Sequence, residues 1–120
     1  AYATLQRWWG APTQPTAVVA LCDANASAML RAAQLLGIAV PEQLSLIGFD
    51  NAAFCEHTMP RLTSIHQPME DMGKLACRLL LERIAGDQRP VQHIQLGVDL
   101  IIRETVAPPC VPAAAEVVHC

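Results

Sequence analysis

The fold is decided by two neighbouring stretches, Val40-Pro-Glu-Gln-Leu-Ser-Leu-Ile-Gly-Phe-Asp-Asn51 and, after a short spacer, Pro60-Arg-Leu-Thr-Ser-Ile-His-Gln-Pro68. Residues 45–49 and 62–66 are short, mostly apolar runs bounded by turn residues, which is the pattern of buried strands. The first strand delivers Asp50 at its carboxyl end, and the second breaks just before Pro68. Because small molecules bind outside the carboxyl ends of the strands in open α/β sheets, this order predicts a ligand site near Asp50.

A strand and a helix are predicted ahead of these stretches. Residues 16–22 form an uninterrupted apolar run, rich in β-branched residues and too short for a buried helix, which favours a strand covered on both faces. A helix over 24–36 follows, with Asp23 where a carboxylate can cap free N–H groups and Gly37 where a left-handed residue can end the helix. Strand, helix and strand at this spacing predict a βαβ unit with a parallel sheet, and therefore an α/β fold.

The remaining elements are less regular. The apolar spacing predicts the end of an amphipathic helix at 1–9, a short helix at 52–57, a long amphipathic helix at 68–85, strands at 91–96 and 99–103, and an irregular tail over 107–120. Since the chain does not begin with Met, we expect it to start inside a longer protein.

Composition excludes several classes of protein. The 120 residues suffice for one small domain, and with 52% hydrophobic but 4% aromatic residues its core should be aliphatic. A net charge of −3 and eight scattered Lys and Arg residues give no basic surface, so this segment by itself is not expected to bind nucleic acid. No apolar run approaches the roughly 20 residues of a membrane span, and the N-terminus does not resemble a secretion signal. A membrane is therefore not an expected partner.

The five cysteines are odd in number and widely spaced, without a Cys-x-x-Cys pair or a His at ligand spacing. They predict reduced thiols in a cytoplasmic protein, with no metal site and no cofactor. Enzyme motifs are missing as well: there is no Gly-x-Ser-x-Gly, no phosphate-binding glycine loop and no His-x-x-x-His. Asp50 with His66 is the only pair that could act as acid and base, so the chain is not expected to be an enzyme.

Six segments, in this order and with these gaps, resemble the C-terminal part of the lactose-repressor/galactose-repressor (LacI/GalR) family of transcriptional regulators: Pro15-Thr-Ala-Val-Val-Ala-Leu-Cys-Asp23, Gly37-Ile-Ala-Val-Pro-Glu42, Ser45-Leu-Ile-Gly-Phe-Asp50, Pro60-x-Leu-Thr-Ser-Ile-x-Gln-Pro68, Leu80-Leu-Glu-Arg-Ile84 and Ile102-Arg-Glu-Thr-Val-Ala-Pro-Pro109. The resemblance covers about residues 1–109. It implies a parallel-sheet, periplasmic-binding-protein-like (type I) α/β fold, present only in part. In that fold a sugar or nucleobase-like effector binds between two similar subdomains.

The resemblance also implies how the chain is divided. Residues 1–66 would belong to the C-terminal subdomain, 67–97 would cross to the N-terminal subdomain, and 98–106 would return. Gln67-Pro68 and Gly97 would then be the hinge crossings.

Five residues are candidates for binding the effector. By the resemblance, Asp50 matches an acidic residue that hydrogen-bonds the ligand, Cys22 stands where many members carry an Asn, and Met69 stands where one member carries a stacking aromatic ring. A carboxylate such as Asp50 can accept from two vicinal hydroxyls. The departures at Cys22 and Met69 favour a smaller or more apolar pocket. Asp23 and His66 complete the set.

Each candidate also has a purely structural interpretation. Asp50, helped by Asn51, would cap a helix, and Asp23 is favoured as a cap over a ligand contact. His66 is favoured as a satisfied core histidine over a residue facing the cleft. Cys22 could be a small apolar filler, and Met69 part of a core stripe with Met72. Arg103 is favoured as a partner of a carboxylate or carbonyl over a ligand clamp.

The helix over 24–36 has apolar residues on two faces, and one side of one small sheet cannot bury both. By the resemblance, its outer face and the short helix after Asp50 form a homodimer interface with these members: Ser27, Ala28, Arg31, Phe54 and Thr58. The alternative is that both elements face the protein's own sheet.

These observations predict the effector-sensing and dimerising part of a bacterial transcriptional regulator, a repressor that responds to a sugar or related metabolite. Operator DNA would be bound through a helix-turn-helix domain that this sequence does not include. One alternative is a periplasmic-type solute-binding protein of a transport system, which shares the fold but needs export. Another is a truncated product with no complete pocket, whose helix over 68–85 would expose an apolar face and associate.

Overall fold

The computed structural model describes residues 1–109. Its elements, in chain order, are helix α1 (Tyr2–Trp9), strand β1 (Ala17–Val19), helix α2 (Asp23–Leu36), strand β2 (Ser45–Phe49), a 3-10 helix (Ala53–Glu56), strand β3 (Thr63–His66), helix α3 (Met69–Ile84) and strand β4 (Asp99–Ile101). Residues 107–109 have no regular structure, and the rest of the tail predicted to be irregular lies outside the described residues.

The four strands form one sheet in the order β1-β2-β3-β4. β1 pairs with β2 and β2 with β3 in parallel, whereas β4 is antiparallel to β3, with Asp99 opposite His66. Helix α2 connects β1 to β2, so the predicted βαβ unit and α/β class are confirmed. The parallel pairing brings the carboxyl ends of β1, β2 and β3 to the same edge of the sheet.

The core lies between the sheet and the helices α1 and α2, and it is aliphatic as predicted. One cluster joins Leu5 of α1 to Leu44 at the entry of β2, with Trp8 and Trp9 partly buried at its border. A second joins Leu30 of α2 to Leu46 of β2. Each fully buried Leu side chain contributes roughly 1.5–3 kcal/mol relative to an exposed one.

The two ends of α2 are formed differently. Gly37 adopts φ 69°, in the left-handed region, and ends the helix as predicted. The Gly37 N–H donates to the Gln34 carbonyl and the Ile38 N–H donates to the Ala33 carbonyl. The predicted cap at the other end is wrong, because no side chain makes a cap hydrogen bond there and Asp23 is itself the first helical residue. Its carboxylate is used elsewhere, as described below.

The prediction that strand 16–22 is covered on both faces is also wrong. β1 is a strand of three residues at the edge of the sheet, and among residues 1–109 it pairs with β2 alone. Val18 packs against the core between the sheet and the helices, whereas Val19 points to the other side and is 65% exposed. An apolar run indicates that a strand can be buried, but it does not indicate whether another segment covers both faces of that strand.

Two other elements differ from prediction. The helix over 52–57 is a single 3-10 turn, and residues 91–96 form no strand. A strand needs a partner for its backbone N–H and C=O groups, and no described strand lies beside 91–96. These residues instead run along α3, where Met72, Leu79, Ile94 and neighbouring residues line a groove of about 450 Å³.

Helix α3 begins and ends close to the prediction but has no buried residue. Its large apolar side chains Leu80, Leu81 and Ile84 are exposed, outside the part of the helix that lines the groove. The predicted division at 66–67 and 97–98 stays a prediction.

Candidate functional site

The candidate site lies at the shared carboxyl edge of the sheet, where β2 ends at Asp50. The Asp50 side chain is exposed, and its backbone adopts φ 108°, followed by φ 55° at Asn51. Two consecutive positive φ values at residues other than glycine are costly, on the order of 1–3 kcal/mol each, and such strain concentrates at functional sites. The turn does not form the helix cap considered for Asp50, because the 3-10 helix that follows has Ala52 at its N-cap and no side-chain cap hydrogen bond.

Asp50 is held by residues at the end of β3 and just after it. The Gln67 side chain donates from Nε2 to Asp50 Oδ1 at 2.7 Å, and the Asp50 N–H donates to the Ile65 carbonyl at 2.9 Å. A carboxylate has about four acceptor positions, so one bond from Gln67 leaves capacity for ligand hydroxyl groups. Because Gln67 is a predicted hinge residue, this bond connects the candidate ligand group to the predicted hinge.

A buried carboxylate lies directly beneath this turn. Asp23 is 1% exposed and accepts the Ala52 N–H at Oδ2 (2.7 Å) and the Ser64 hydroxyl at Oδ1 (2.5 Å). The Ser64 oxygen in turn accepts the Asn51 N–H at 3.1 Å. Asp23 therefore links the start of α2, the turn after β2 and strand β3.

The close approach of this carboxylate requires glycine at position 48. A Cβ atom added to Gly48 would lie 2.1 Å from Asp23 Oδ1. The same carboxylate affects Cys55, whose thiol is fully buried. Burial, and then the hydrogen bond to Asp23, raise the pKa of Cys55 to about 12.

Arg103, which follows β4, holds the turn from the other side. Its nearly buried guanidinium donates to Asn51 Oδ1 at 2.8 Å, to the Leu62 carbonyl at 2.7 Å and to Glu56 Oε1 at 2.6 Å. Hydrogen bonding to Arg103 holds the pKa of the Glu56 carboxyl below its ordinary value. The interpretation of Arg103 as a carboxylate and carbonyl partner is thus confirmed.

The other predicted ligand residues lie at the same edge but are less closely joined. His66 is exposed, and its Nδ1 lies 3.4 Å from Asn51 Nδ2. Cys22 is half-buried immediately before α2, and Met69 is exposed at the first turn of α3. Within residues 1–109 neither makes a hydrogen bond to Asp50. Asp23 lies below the surface with both oxygens occupied, so of the five candidates Asp50 and His66 are the polar groups that face solvent.

Ser64, Asn51 and Gln67 have larger parts in the site than the sequence indicates. The sequence signal for Ser64 is that a polar residue stands inside a short apolar strand. A buried polar side chain needs a hydrogen-bond partner, and Ser64 finds one in Asp23. Gln67 and Pro68 are both half-buried at the exit of β3, whereas Gly97 is exposed and has open space around its Cα.

The predicted dimer residues lie on α2, on the 3-10 helix and just after that helix. Ala28 and Arg31 are exposed on α2, Phe54 is exposed on the 3-10 helix, and Ser27 and Thr58 are half-buried. A bond from Gln34 Nε2 to the Met59 carbonyl, at 2.7 Å, ties α2 to the segment after the 3-10 helix. We call these five predicted residues, together with exposed Leu35 and Met59, the α2 surface.

In the described part of the chain no three His, Cys, Asp or Glu side chains are grouped so that they could hold a metal ion. None of the helices over residues 1–109 is long and apolar enough to cross a membrane. Cys22, Cys55 and Cys77 are free thiols, while the other two cysteines lie outside the described residues.

Comparison with known proteins agrees with this architecture. Residues 1–106 match the family described as periplasmic binding protein-like domain. The HTH-type transcriptional repressor PurR of Escherichia coli O139:H28 is 39% identical over 106 residues, which are 88% of this chain and 31% of the relative. The chain thus spans less than a third of the length of the curated relatives that it matches.

Solved structures show the same likeness. The LacI family transcriptional regulator of Enterococcus faecium, with bound ribose, is 33% identical, with a TM-score of 0.76 over 89% of this chain and 39% of that one. The ribose-bound regulator of Enterococcus faecalis V583 is 34% identical, with a TM-score of 0.78 and the same coverage. These relatives are transcriptional regulators and not enzymes, which agrees with the expectation for this chain. The chain belongs to the periplasmic binding protein-like domain family, and it corresponds to the C-terminal effector-binding region of LacI/GalR-type regulators.

Proposed function

We propose that this chain is the effector-sensing and dimerising part of a bacterial transcriptional regulator, acting as a repressor. The observation that carries the proposal is the exposed carboxylate of Asp50, held in a strained turn at the carboxyl edge of the sheet and bonded to Gln67. This is a rigid acceptor next to a predicted hinge. Such an arrangement can report the presence of a small molecule without reacting with it.

The effector is proposed to be a sugar or a related hydroxylated metabolite. An ionised carboxylate accepts two hydroxyl hydrogen bonds, each worth about 1.5–3 kcal/mol because the acceptor is charged. Two of the similar regulators were solved with bound ribose, which supports this class of ligand. Cys22 and Met69, neither of which is a strong hydrogen-bonding group, would make this pocket more apolar around the Asp50 contact.

The proposed mechanism is closure of one subdomain over the other. The effector would bind Asp50 and His66 on one side and the N-terminal subdomain on the other, so it would favour the closed state by its differential affinity. Gln67, Pro68 and Gly97 would absorb the rotation. Exposed Gly97 has the space and the backbone freedom that such a position needs.

Dimerisation is proposed to occur through the α2 surface. Its apolar members Phe54, Leu35 and Met59 are exposed in a single chain, and α2 already buries its other face on the sheet. In a symmetric dimer one surface meets its own copy. Closure would then change the spacing of two DNA-binding domains, which would be of the helix-turn-helix type named for the relatives.

The alternative of a solute-binding protein is less well supported. The relatives of known role are transcriptional regulators, and the free cysteines suit a reducing compartment. We therefore place the protein in the bacterial cytoplasm as part of the proposal.

A thermal-shift screen of sugars, polyols, sugar acids and nucleobases on the full-length protein tests this function. A ligand at 100 times its Kd adds about 2.7 kcal/mol of stability, which raises the Tm by several degrees. At least one hydroxylated compound should give such a shift. If no compound in the panel does, sensing of a sugar-like effector is contradicted, and the chain is better described as a dimerising scaffold.

A further inference from the structure

We propose that Asp23 is a positioning residue of the effector site: acting through Ser64, its buried carboxylate holds the Asp50 turn in the geometry that meets the effector. The identity of the ligand rests on the proposed function. The effect of Asp23 on the geometry of the turn does not rest on the proposed function. The test below can therefore distinguish a failure of this inference from a failure of the proposed ligand class.

The backbone bonds of the turn show how it is held. Three successive N–H groups are anchored, each by a different acceptor: that of Asp50 by the Ile65 carbonyl, that of Asn51 by Ser64 Oγ and that of Ala52 by Asp23 Oδ2. The last two acceptors are themselves joined by the bond from the Ser64 hydroxyl to Asp23 Oδ1. Thus two of the three anchors depend on the Asp23–Ser64 pair.

These anchors act where the backbone is strained. Asp50 and Asn51 both have positive φ, which residues other than glycine adopt only when their surroundings impose it. The β3 backbone fixes the Asp50 N–H alone, so without Ser64 and Asp23 the backbone at Asn51, and with it Asp50, could relax to ordinary φ values. The Asp50 carboxylate would then leave its place beside Gln67.

Burial explains why Asp23 can do this rigidly. Asp23 and Ser64 are 1% and 0% exposed, and among residues 1–109 no Lys or Arg forms an ion pair with Asp23. A buried carboxylate without a cation tolerates few arrangements, because each of its hydrogen bonds must be kept. Gly48 leaves room for it at a point where any Cβ atom would collide.

The test compares Ser64→Ala with Ser45→Ala in the full-length protein. Ser45 is a matched control: it is buried in the same sheet, and its hydroxyl bonds the Ala107 backbone at the opposite edge. Amide hydrogen exchange of residues 50–53 reports the turn, and calorimetric titration with D-ribose reports binding. Asp23→Asn provides a second variant of the same pair should Ser64→Ala fold poorly.

We expect Ser64→Ala to speed exchange at Asn51 and to weaken D-ribose about tenfold, the effect of one lost hydrogen bond that fixes the ligand group. Ser45→Ala should lower the Tm without changing either readout. A merely structural role for Ser64 would lower the Tm and leave the affinity unchanged, and this would overturn the proposal.

Two further outcomes would separate this inference from the proposed function. If exchange at the turn is the same in Ser64→Ala and wild type, Asp23 does not hold the turn and the inference fails, whatever D-ribose does. If the turn loosens but D-ribose does not bind even the wild type, the positioning of Asp50 is supported and the proposed ligand class is what fails.

Discussion

At the scale of single residues, the thiol of Cys55 shows how the buried Asp23 changes a neighbour. Cys55 is fully buried, and its pKa is raised to about 12, first by burial and then by the hydrogen bond to Asp23. Since the thiolate and not the thiol is the nucleophile, Cys55 is unreactive near neutral pH.

This can be measured by alkylation with iodoacetamide at pH 8, followed by peptide mapping. We expect Cys55 to stay unmodified in the folded full-length protein and to be modified rapidly once the protein is unfolded in guanidinium chloride. Equal rates of Cys55 modification in the folded and unfolded protein would show that the thiol is neither buried nor held by Asp23.

Single residues also show what could be predicted from the sequence. Gly37 was predicted to end α2, and it does, because a left-handed terminus after an apolar helix is a local property. The bond between Asp23 and Ser64 joins residues 41 positions apart, so it depends on the strand order. Asp23 was therefore predicted to cap a helix, which is the local use of an acid at that position.

At the scale of elements, Arg103 joins three segments: the return segment after β4, the 3-10 helix through Glu56, and the turn through Asn51. Glu56 is held charged by this partner, and its pKa lies below its ordinary value of 4.5. In the unfolded chain the partner is lost. Protonating Glu56 therefore costs the folded state more than the unfolded state.

The sign of the pH dependence follows. Because the pKa of Glu56 is lower in the folded state, the pair contributes its full stability above about pH 4.5, and the contribution is lost as the pH falls through the folded-state pKa. Glu56→Gln should lower the Tm of the full-length protein at pH 7, and this difference should become smaller as the pH is lowered to about 3. Glu42→Gln, at an exposed site without an ion pair among residues 1–109, is the control. A Glu56→Gln difference that is the same at both pH values would contradict the pairing.

Elements differ in how well their sequence predicts them. Strand Ser45–Phe49 was predicted at its observed bounds, because its residues alternate between the α2 side and the other face and it is flanked by strands on both sides. Residues 91–96 have a similar composition but form no strand, because strand formation also requires a neighbour. A sequence pattern describes a segment, not its partners.

At the scale of the whole molecule, the α2 surface is the feature that a single chain leaves unexplained. Helix α2 buries Ala26 and Leu30 on the sheet, and its opposite side exposes Ala28, Arg31 and Leu35. A homodimer is the proposed explanation.

Introducing a charge there tests the dimer. Ala28→Asp places two carboxylates against each other across a symmetric interface, so we expect the full-length protein to sediment as a monomer. Ala39→Asp, which adds the same charge at an exposed site after α2, should leave the dimer intact. A dimer that survives Ala28→Asp would place the interface elsewhere.

The most direct test of the central claim, that Asp50 binds the effector, is calorimetric titration of the most stabilising compound of the screen into wild type, Asp50→Ala and Glu42→Ala. Glu42→Ala removes the same charge at the opposite end of β2. We expect Asp50→Ala to lose binding by tenfold or more, the effect of removing a charged hydrogen-bond acceptor, while the protein stays folded in the absence of ligand. Equal affinities in all three proteins would contradict the account and move the effector site away from Asp50.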